Sequence, residues 1–298
     1  PAGRHGLIGY DTFLKQYGLV VNFLAYSPIS LMTKPGLLEL TGTTAEKMID
    51  VETMGEILTR QGISVRSYLP IAISGSCLTR AQMRGAEIIP YRGFADLFAS
   101  AQEKLNANAN GKSLDFIYYN DFDTYNHLYG MTDERIWRGA DDFLSGLDRM
   151  IAALQTKQVG KTLVLLTADH GHIPSTPDRR RDWNYQPELM DLLTIRPTGE
   201  NRLTYFYPRS RKEDELIRRI EEVYPGEFNL VDSERFLNDG FFGTGAFHPD
   251  VRNRIGDLIA IAKGTAFFWW NPRPDRLQSR HGGLSADEMI VPLIGLQL

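Results

Sequence analysis

Thr162-Leu163-Val164-Leu165-Leu166-Thr167-Ala168-Asp169-His170-Gly171-His172 decides how the rest of this 298-residue chain is read. The first five residues form a run of strand length, unbroken in its apolar character from Leu163 to Leu166, the pattern of a strand buried on both faces. A carboxylate and an imidazole, Asp169 and His170, leave the end of that strand together. Gly171 allows the backbone to turn sharply there, so that both side chains reach the sheet edge. Open α/β sheets gather their ligands at the carboxyl edge, which makes this end the place to look for chemistry.

Similar runs recur at residues 19–26, 64–69, 114–120, 202–207, 256–262 and 266–270, alternating with segments of helical period. That alternation predicts an α/β fold of three layers, α/β/α, with a largely parallel central sheet. The clearest helix is expected over residues 132–155, where Ile136, Ala140, Phe143, Leu147, Met150 and Leu154 recur at three- and four-residue steps as a core stripe. Further helices are expected at residues 51–60, ended by Gly62, and 212–223, ended by Pro225-Gly226. Ser285 and Glu288 have the spacing of a capping box opening a short helix. The Asn-rich stretch 102–111 reads as a helix end and a loop. Residues 174–250, rich in Arg, Pro, Asn and Asp, separate two core-like segments and read as a small inserted lobe within one domain spanning 1–298.

Composition narrows the partners. With 33 Lys plus Arg against 37 Asp plus Glu, the net charge is −4, so no nucleic acid or anionic membrane is expected to bind through charge, and an anionic substrate must be captured locally. A single cysteine, Cys77, excludes an internal disulfide and a cysteine-rich metal site and turns attention to His, Asp and Glu. No apolar run reaches transmembrane length, and the opening Pro1-Ala2-Gly3-Arg4-His5-Gly6 is not a leader pattern. The chain reads as a soluble one whose natural beginning lies upstream.

Three of the six histidines stand beside carboxylates or glycines just after expected strands. The segment after residue 120 reads Asp121-Phe122-Asp123-Thr124-Tyr125-Asn126-His127-Leu128-Tyr129-Gly130, in which Asp123 and His127 are four apart and can face one ion from a single helical turn. Asp169-His170-Gly171-His172 and Arg280-His281-Gly282-Gly283 are the other two. Alone, each is as readily a cap or a turn. Three together point to metal binding, and nitrogen and carboxylate ligands without thiolate favour zinc, with manganese or iron as substitutes. His172 and His248 read as loop or supporting residues outside the ligand set, and Arg179-Arg180-Arg181 as a solvated loop.

Asp123-x-x-x-His127-x-x-Gly130, Thr167-Ala168-Asp169-His170-Gly171 and His281-Gly282-Gly283-Leu284-Ser285, in this order, resemble the nucleotide pyrophosphatase/phosphodiesterase branch of the alkaline phosphatase superfamily. The resemblance runs from Arg4-His5-Gly6 to Val291-Pro292-Leu293. It implies an alkaline phosphatase-like fold, a small phosphorylated substrate and two divalent ions, zinc by preference. Asp123, His127 and His281 would hold the first and Asp169 and His170 the second. It also implies a further metal-binding aspartate and a Thr or Ser nucleophile upstream of His5-Gly6, so that no residue of this chain is assigned as nucleophile and the chain alone is expected not to turn over phosphoesters at the family's rate. After His5-Gly6, where diesterases commonly carry an asparagine, stands Leu7-Ile8-Gly9-Tyr10. A phosphonate or sulfate ester hydrolase of the same superfamily, or a metal-binding module without catalysis, are the alternatives. Gly75-Ser76-Cys77-Leu78-Thr79-Arg80 lacks the proline of a sulfatase's Cys-x-Pro-x-Arg motif, because position 79 is Thr.

Overall fold

The computed structural model describes residues 1–31, 34–107, 111–155 and 161–298. The chain forms two compact units. One comprises residues 1–51 and 170–290, and the other residues 52–169 and 291–298.

The first unit is built on a seven-stranded sheet in the order Phe228–Asp232, Leu258–Ala262, Leu203–Phe206, Thr198–Glu200, Asp11–Leu14, Leu19–Asn22, Ser27–Pro28. Every neighbouring pair is antiparallel, with Leu203 opposite Ile261 and Leu230 opposite Ala260. This corrects the expectation of a largely parallel central sheet. Its cause is burial on both faces. Phe206, Leu258, Ala260 and Ala262 face one core with Trp183, Tyr224 and Phe268, while Leu203, Tyr205 and Ile259 face another with Phe236, Val251 and Ile255. A strand covered on both sides reads as a continuous apolar run whatever its direction, so the pattern reports burial and not polarity of pairing.

The first core is aromatic: Phe228 stacks on Phe268 at 3.9 Å between ring centroids and Trp183 on Phe206 at 4.9 Å. Residues 266–270, expected as a strand, make only an isolated bridge between Trp269 and Asp182. Phe267, Phe268 and Trp270 are nonetheless buried, so β-type composition there reflects core filling. The helix Glu213–Val223 buries Leu216 and Ile220, and Gly226 follows with φ 72°. Residues 174–250 lie within this first unit.

The second unit holds a parallel sheet of three strands, Glu87–Tyr91, Ser64–Pro70 and Ser113–Ile117. The helices Phe94–Ala107 and Glu134–Gln155 supply its core through Leu97, Phe98, Ala101, Met150 and Leu154. Gly146 permits their close approach, since a Cβ there would sit 2.2 Å from the Phe98 ring. Residues 108–110 of the Asn-rich stretch lie outside the described residues. On the helix Met54–Arg60, Thr53 and Glu56 form a capping box. Arg66 and Asp115 make a bidentate pair between adjacent strands at 2.6 and 2.7 Å, which Tyr68 Oη joins at 2.9 Å.

The deciding strand, Leu163–Thr167, pairs antiparallel with Leu293–Gln297. Its burial alternates: Leu163 and Leu165 are exposed, while Val164 packs against the helical core. The apolar run therefore has one covered face among the described residues, not two.

Candidate metal centre

In the second unit, Ser113–Ile117 runs out through Tyr118 and Tyr119 into the helix Asp121–Tyr129, which begins after Asn120 and ends at Gly130, φ 83°. Asp123 stands in its first turn and His127 one turn on, so the four-residue spacing does what the sequence implied. His127 Nε2 lies 3.2 Å from Asp123 Oδ1, and both side chains keep partial access to solvent. Asp169 follows the Leu163–Thr167 strand. Tyr118 reports on both carboxylates: burial pushes its phenol up to about 12, and the charges of Asp169 and Asp123 add to the shift. The phenol is a proton donor throughout the neutral range.

In the first unit, the bridge of Ile173–Pro174 to Ser279–Arg280 brings the segment after His170 alongside the segment before His281. His170 and His281 stack face to face, with centroids 3.6 Å apart and planes 13° from parallel. Stacked rings present their nitrogens side by side and do not converge on one point. His172 stands at 5.4 Å from His170 and 5.2 Å from His281, steeply inclined to both. His170 Nδ1 lies 3.0 Å from Gly171 O, and His172 Nδ1 3.0 Å from Ser279 Oγ. Such contacts at one ring nitrogen set the orientation of the other, as is usual for imidazoles that hold a metal.

Gly171 is required for a reason other than a turn. Its N–H donates to Glu288 O at 2.8 Å, and a Cβ would lie 2.0 Å from Asp287 O, so the residue is there for backbone approach. Gly171→Ala is therefore expected to cost about 1–3 kcal/mol, the range for overpacking. Urea denaturation of the variant beside the wild type measures this, and an unchanged midpoint would contradict the close approach.

The loop after His281 is governed by Glu288. The capping box at Ala286–Met289 forms as expected, and the same carboxylate does more. Glu288 Oε1 accepts Gly283 N–H at 2.8 Å, Oε2 accepts Ser285 Oγ at 2.7 Å, and the fully buried Arg202 grips both oxygens at 2.7 and 2.9 Å. Burial alone would raise the Glu288 pKa, but Arg202, Ser285 and Gly283 together hold it below the usual carboxylate value. Gly282, φ 90°, faces Glu200, whose carboxyl accepts Tyr10 N–H at 2.7 Å and is pushed up to about 8 by burial, with the nearby Asp11 adding to it.

The arginines near these segments are committed elsewhere. Arg280 is buried against Asp275 and Ser175 and lies 3.5 Å over the Phe267 ring. Arg180 and Arg181 pair with Glu227 at 2.7 and 2.8 Å, and Arg179 covers Tyr185. His248 is lowered in pKa by burial and by Arg254.

The structure thus joins Asp123 to His127 in one unit and His170 to His281 in the other, with the chain passing between units at the Asp169–His170 bond. Among the described residues, the side chains able to take part in holding a metal ion include Asp123, His127, His170, His172 and His281. Imidazole and carboxylate donors, without thiolate and with backed imidazoles, fit zinc. Sequence reading set His172 aside. The signal that would have included it is its spacing of two from His170, which puts both on one face of an extended segment.

The family model described as type I phosphodiesterase / nucleotide pyrophosphatase matches residues 3–284. A search of curated proteins finds no match. Among solved structures, murine ectonucleotide pyrophosphatase / phosphodiesterase 5 is similar in fold at 16% identity, with a TM-score of 0.67 over 98% of this chain and 72% of that one. The same murine protein has also been solved as an inactive variant in complex with AMP, with the same similarity. The human counterpart matches at 17% identity and TM-score 0.67, over 99% of this chain and 72% of its own. No helix among the described residues is long and apolar enough to cross a membrane. With nearly its whole length matched by one family model, this chain belongs to the type I phosphodiesterase / nucleotide pyrophosphatase family.

Proposed function

We propose that this chain serves metal-dependent hydrolysis of phosphodiesters or pyrophosphates of nucleotides, with Asp123, His127 and His281 holding one divalent cation and Asp169 and His170 a second. The observation that carries the two-ion reading is the face-to-face stack of His170 and His281. Two imidazoles on one ion splay apart, whereas two stacked at 3.6 Å suit neighbouring ions, which in two-metal sites lie about 3.5–4 Å apart. The family uses two metal ions, zinc. When bound, such ions supply positive charge for the phosphoryl oxygens and the leaving group.

The residues of the chain orient that charge. Gly171 O and Ser279 Oγ fix the imidazoles, Glu288 sets the loop after His281, and Tyr118 offers a proton-bearing phenol near both carboxylates. A nucleotide substrate is supported by the AMP complex of the murine relative. The acidic net charge supports a small phosphorylated molecule and not a nucleic acid chain. Within the first unit, residues 174–250 are the segment proposed to set substrate choice. Family membership favours this reading over a phosphonate or sulfate ester hydrolase.

The test is calorimetric. AMP titrated into the zinc-loaded protein is expected to bind, and removal of zinc by a chelator to weaken that binding at least 100-fold, since each tenfold step corresponds to about 1.4 kcal/mol and the ions contribute several. Equal AMP affinity with and without zinc would refute the proposed role of the ions.

A further inference from the structure

We infer that His172 is a metal ligand in its own right, coordinating through Nε2 the same cation as His170. The inference rests on the two-ion reading above and adds to it a residue that the family motifs leave out.

Three observations carry it, all within the first unit. The first is spacing. Two imidazoles on one tetrahedral zinc, with Zn–N of about 2.0–2.1 Å, place their ring centroids roughly 5 Å apart. His170 and His172 are 5.4 Å apart with planes inclined by 60°, whereas His170 and His281 are too close and too parallel to share an ion. The second is the position of the donor atoms: a ring nitrogen of His172 lies within 4.8 Å of one of His170. The third is the backing. His172 is 7% exposed, and its Nδ1 meets the hydroxyl of the fully buried Ser279 at 3.0 Å. With Nδ1 held there, Nε2 is the nitrogen presented on the far side of the ring.

The chemical consequence concerns the second ion. His172 adds a nitrogen donor beside Asp169 and His170, from a segment paired with Ser279–Arg280. A neutral imidazole as ligand also leaves the site more positive than a further carboxylate would, which favours binding of an anionic phosphoryl group.

Zinc content and affinity of the wild type, His172→Asn and Ser279→Ala measure this, using competition with a chromogenic chelator and elemental analysis. The wild type is expected to bind two ions. In His172→Asn the weaker ion should lose on the order of 1,000-fold in affinity while the tighter one is unchanged, and Ser279→Ala, which removes only the support of the ring, should lose about 10- to 100-fold. Cobalt substitution adds a readout independent of activity, because loss of a nitrogen ligand alters the visible absorption of one ion only. Should His172→Asn fail to fold, zinc titration of wild-type protein carrying 15N-labelled histidine decides: the Nε2 resonance of His172 must move together with that of His170. An unmoved His172 resonance at saturating zinc, or two ions bound by His172→Asn at wild-type affinity, overturns the assignment and leaves the two-ion reading standing. A wild type that binds no divalent cation overturns both.

Discussion

Glu288→Ala is expected to lower folding stability by about 3–5 kcal/mol, the cost of leaving a buried charge without its partner. Arg202 has no exposed side-chain surface, and besides Glu288 its guanidinium donates only to Ala266 O among the bonds described. Removing the carboxylate also strands Gly283 N–H and Ser285 Oγ, so the loop that follows His281 loses its anchor together with the charge balance. Glu288 has a folded-state pKa below its ordinary value, so its contribution is fully present above the unfolded pKa and fades as pH falls through the folded one. The gap between wild type and variant should therefore narrow in acid. Chemical denaturation at neutral pH and below pH 4 checks both statements; a loss under about 1 kcal/mol at neutral pH would show that the pair is replaceable by solvent. Joint replacement of Arg202 and Glu288 by apolar residues of similar volume should recover much of the stability but not the order of the loop.

The second large effect belongs to Asp123→Ala, expected to reduce affinity for the first cation on the order of 1,000-fold or more, beyond the 10- to 100-fold typical of a supporting residue. One of three protein ligands is lost, and the oxygen 3.2 Å from His127 Nε2 goes with it. The fold should be untouched, because Asp123 is partly exposed on the first turn of its helix and packs in no core cluster. Chelator competition and a melting curve on the same sample separate the two: unchanged zinc affinity would remove Asp123 from the ligand set. The Tyr118 phenol should also titrate at lower pH in this variant, since one of the charges raising it is gone.

What could be read from the sequence follows from the range of the forces involved. Asp123 and His127 were legible because a helix brings residues four apart together by its own geometry, and Ser285 and Glu288 because a capping box is local. The direction of the large sheet was not. Leu203–Phe206 and Leu258–Ala262 are buried on both faces, and burial erases the alternation that marks an antiparallel strand. Gly171 was legible as a special position but not for its reason, since Asp287 O approaches it from more than a hundred residues along the chain. His172 was passed over because its partner Ser279 is 107 residues away, and its spacing of two from His170 was the one local mark it carried. The Arg202–Glu288 pair spans 86 residues and appears in sequence only as two ordinary charges.

The division of the chain into units made of separated segments bears on how it is synthesised. Asp11 pairs with Gly199 in the first unit, and Leu163–Thr167 in the second pairs with Leu293–Gln297. A ribosome delivering about 5–20 residues per second therefore leaves Asp11–Leu14, paired at once with Leu19–Asn22, waiting roughly ten to forty seconds for its second partner, Thr198–Glu200. The strand Leu163–Thr167 waits without its antiparallel partner until Leu293–Gln297 has emerged. Neither unit can close co-translationally in order, and folding should be slow and late, governed by contacts of long sequence separation. Nascent-chain protease protection should accordingly rise in one late step, after the last strand clears the exit tunnel, and not unit by unit.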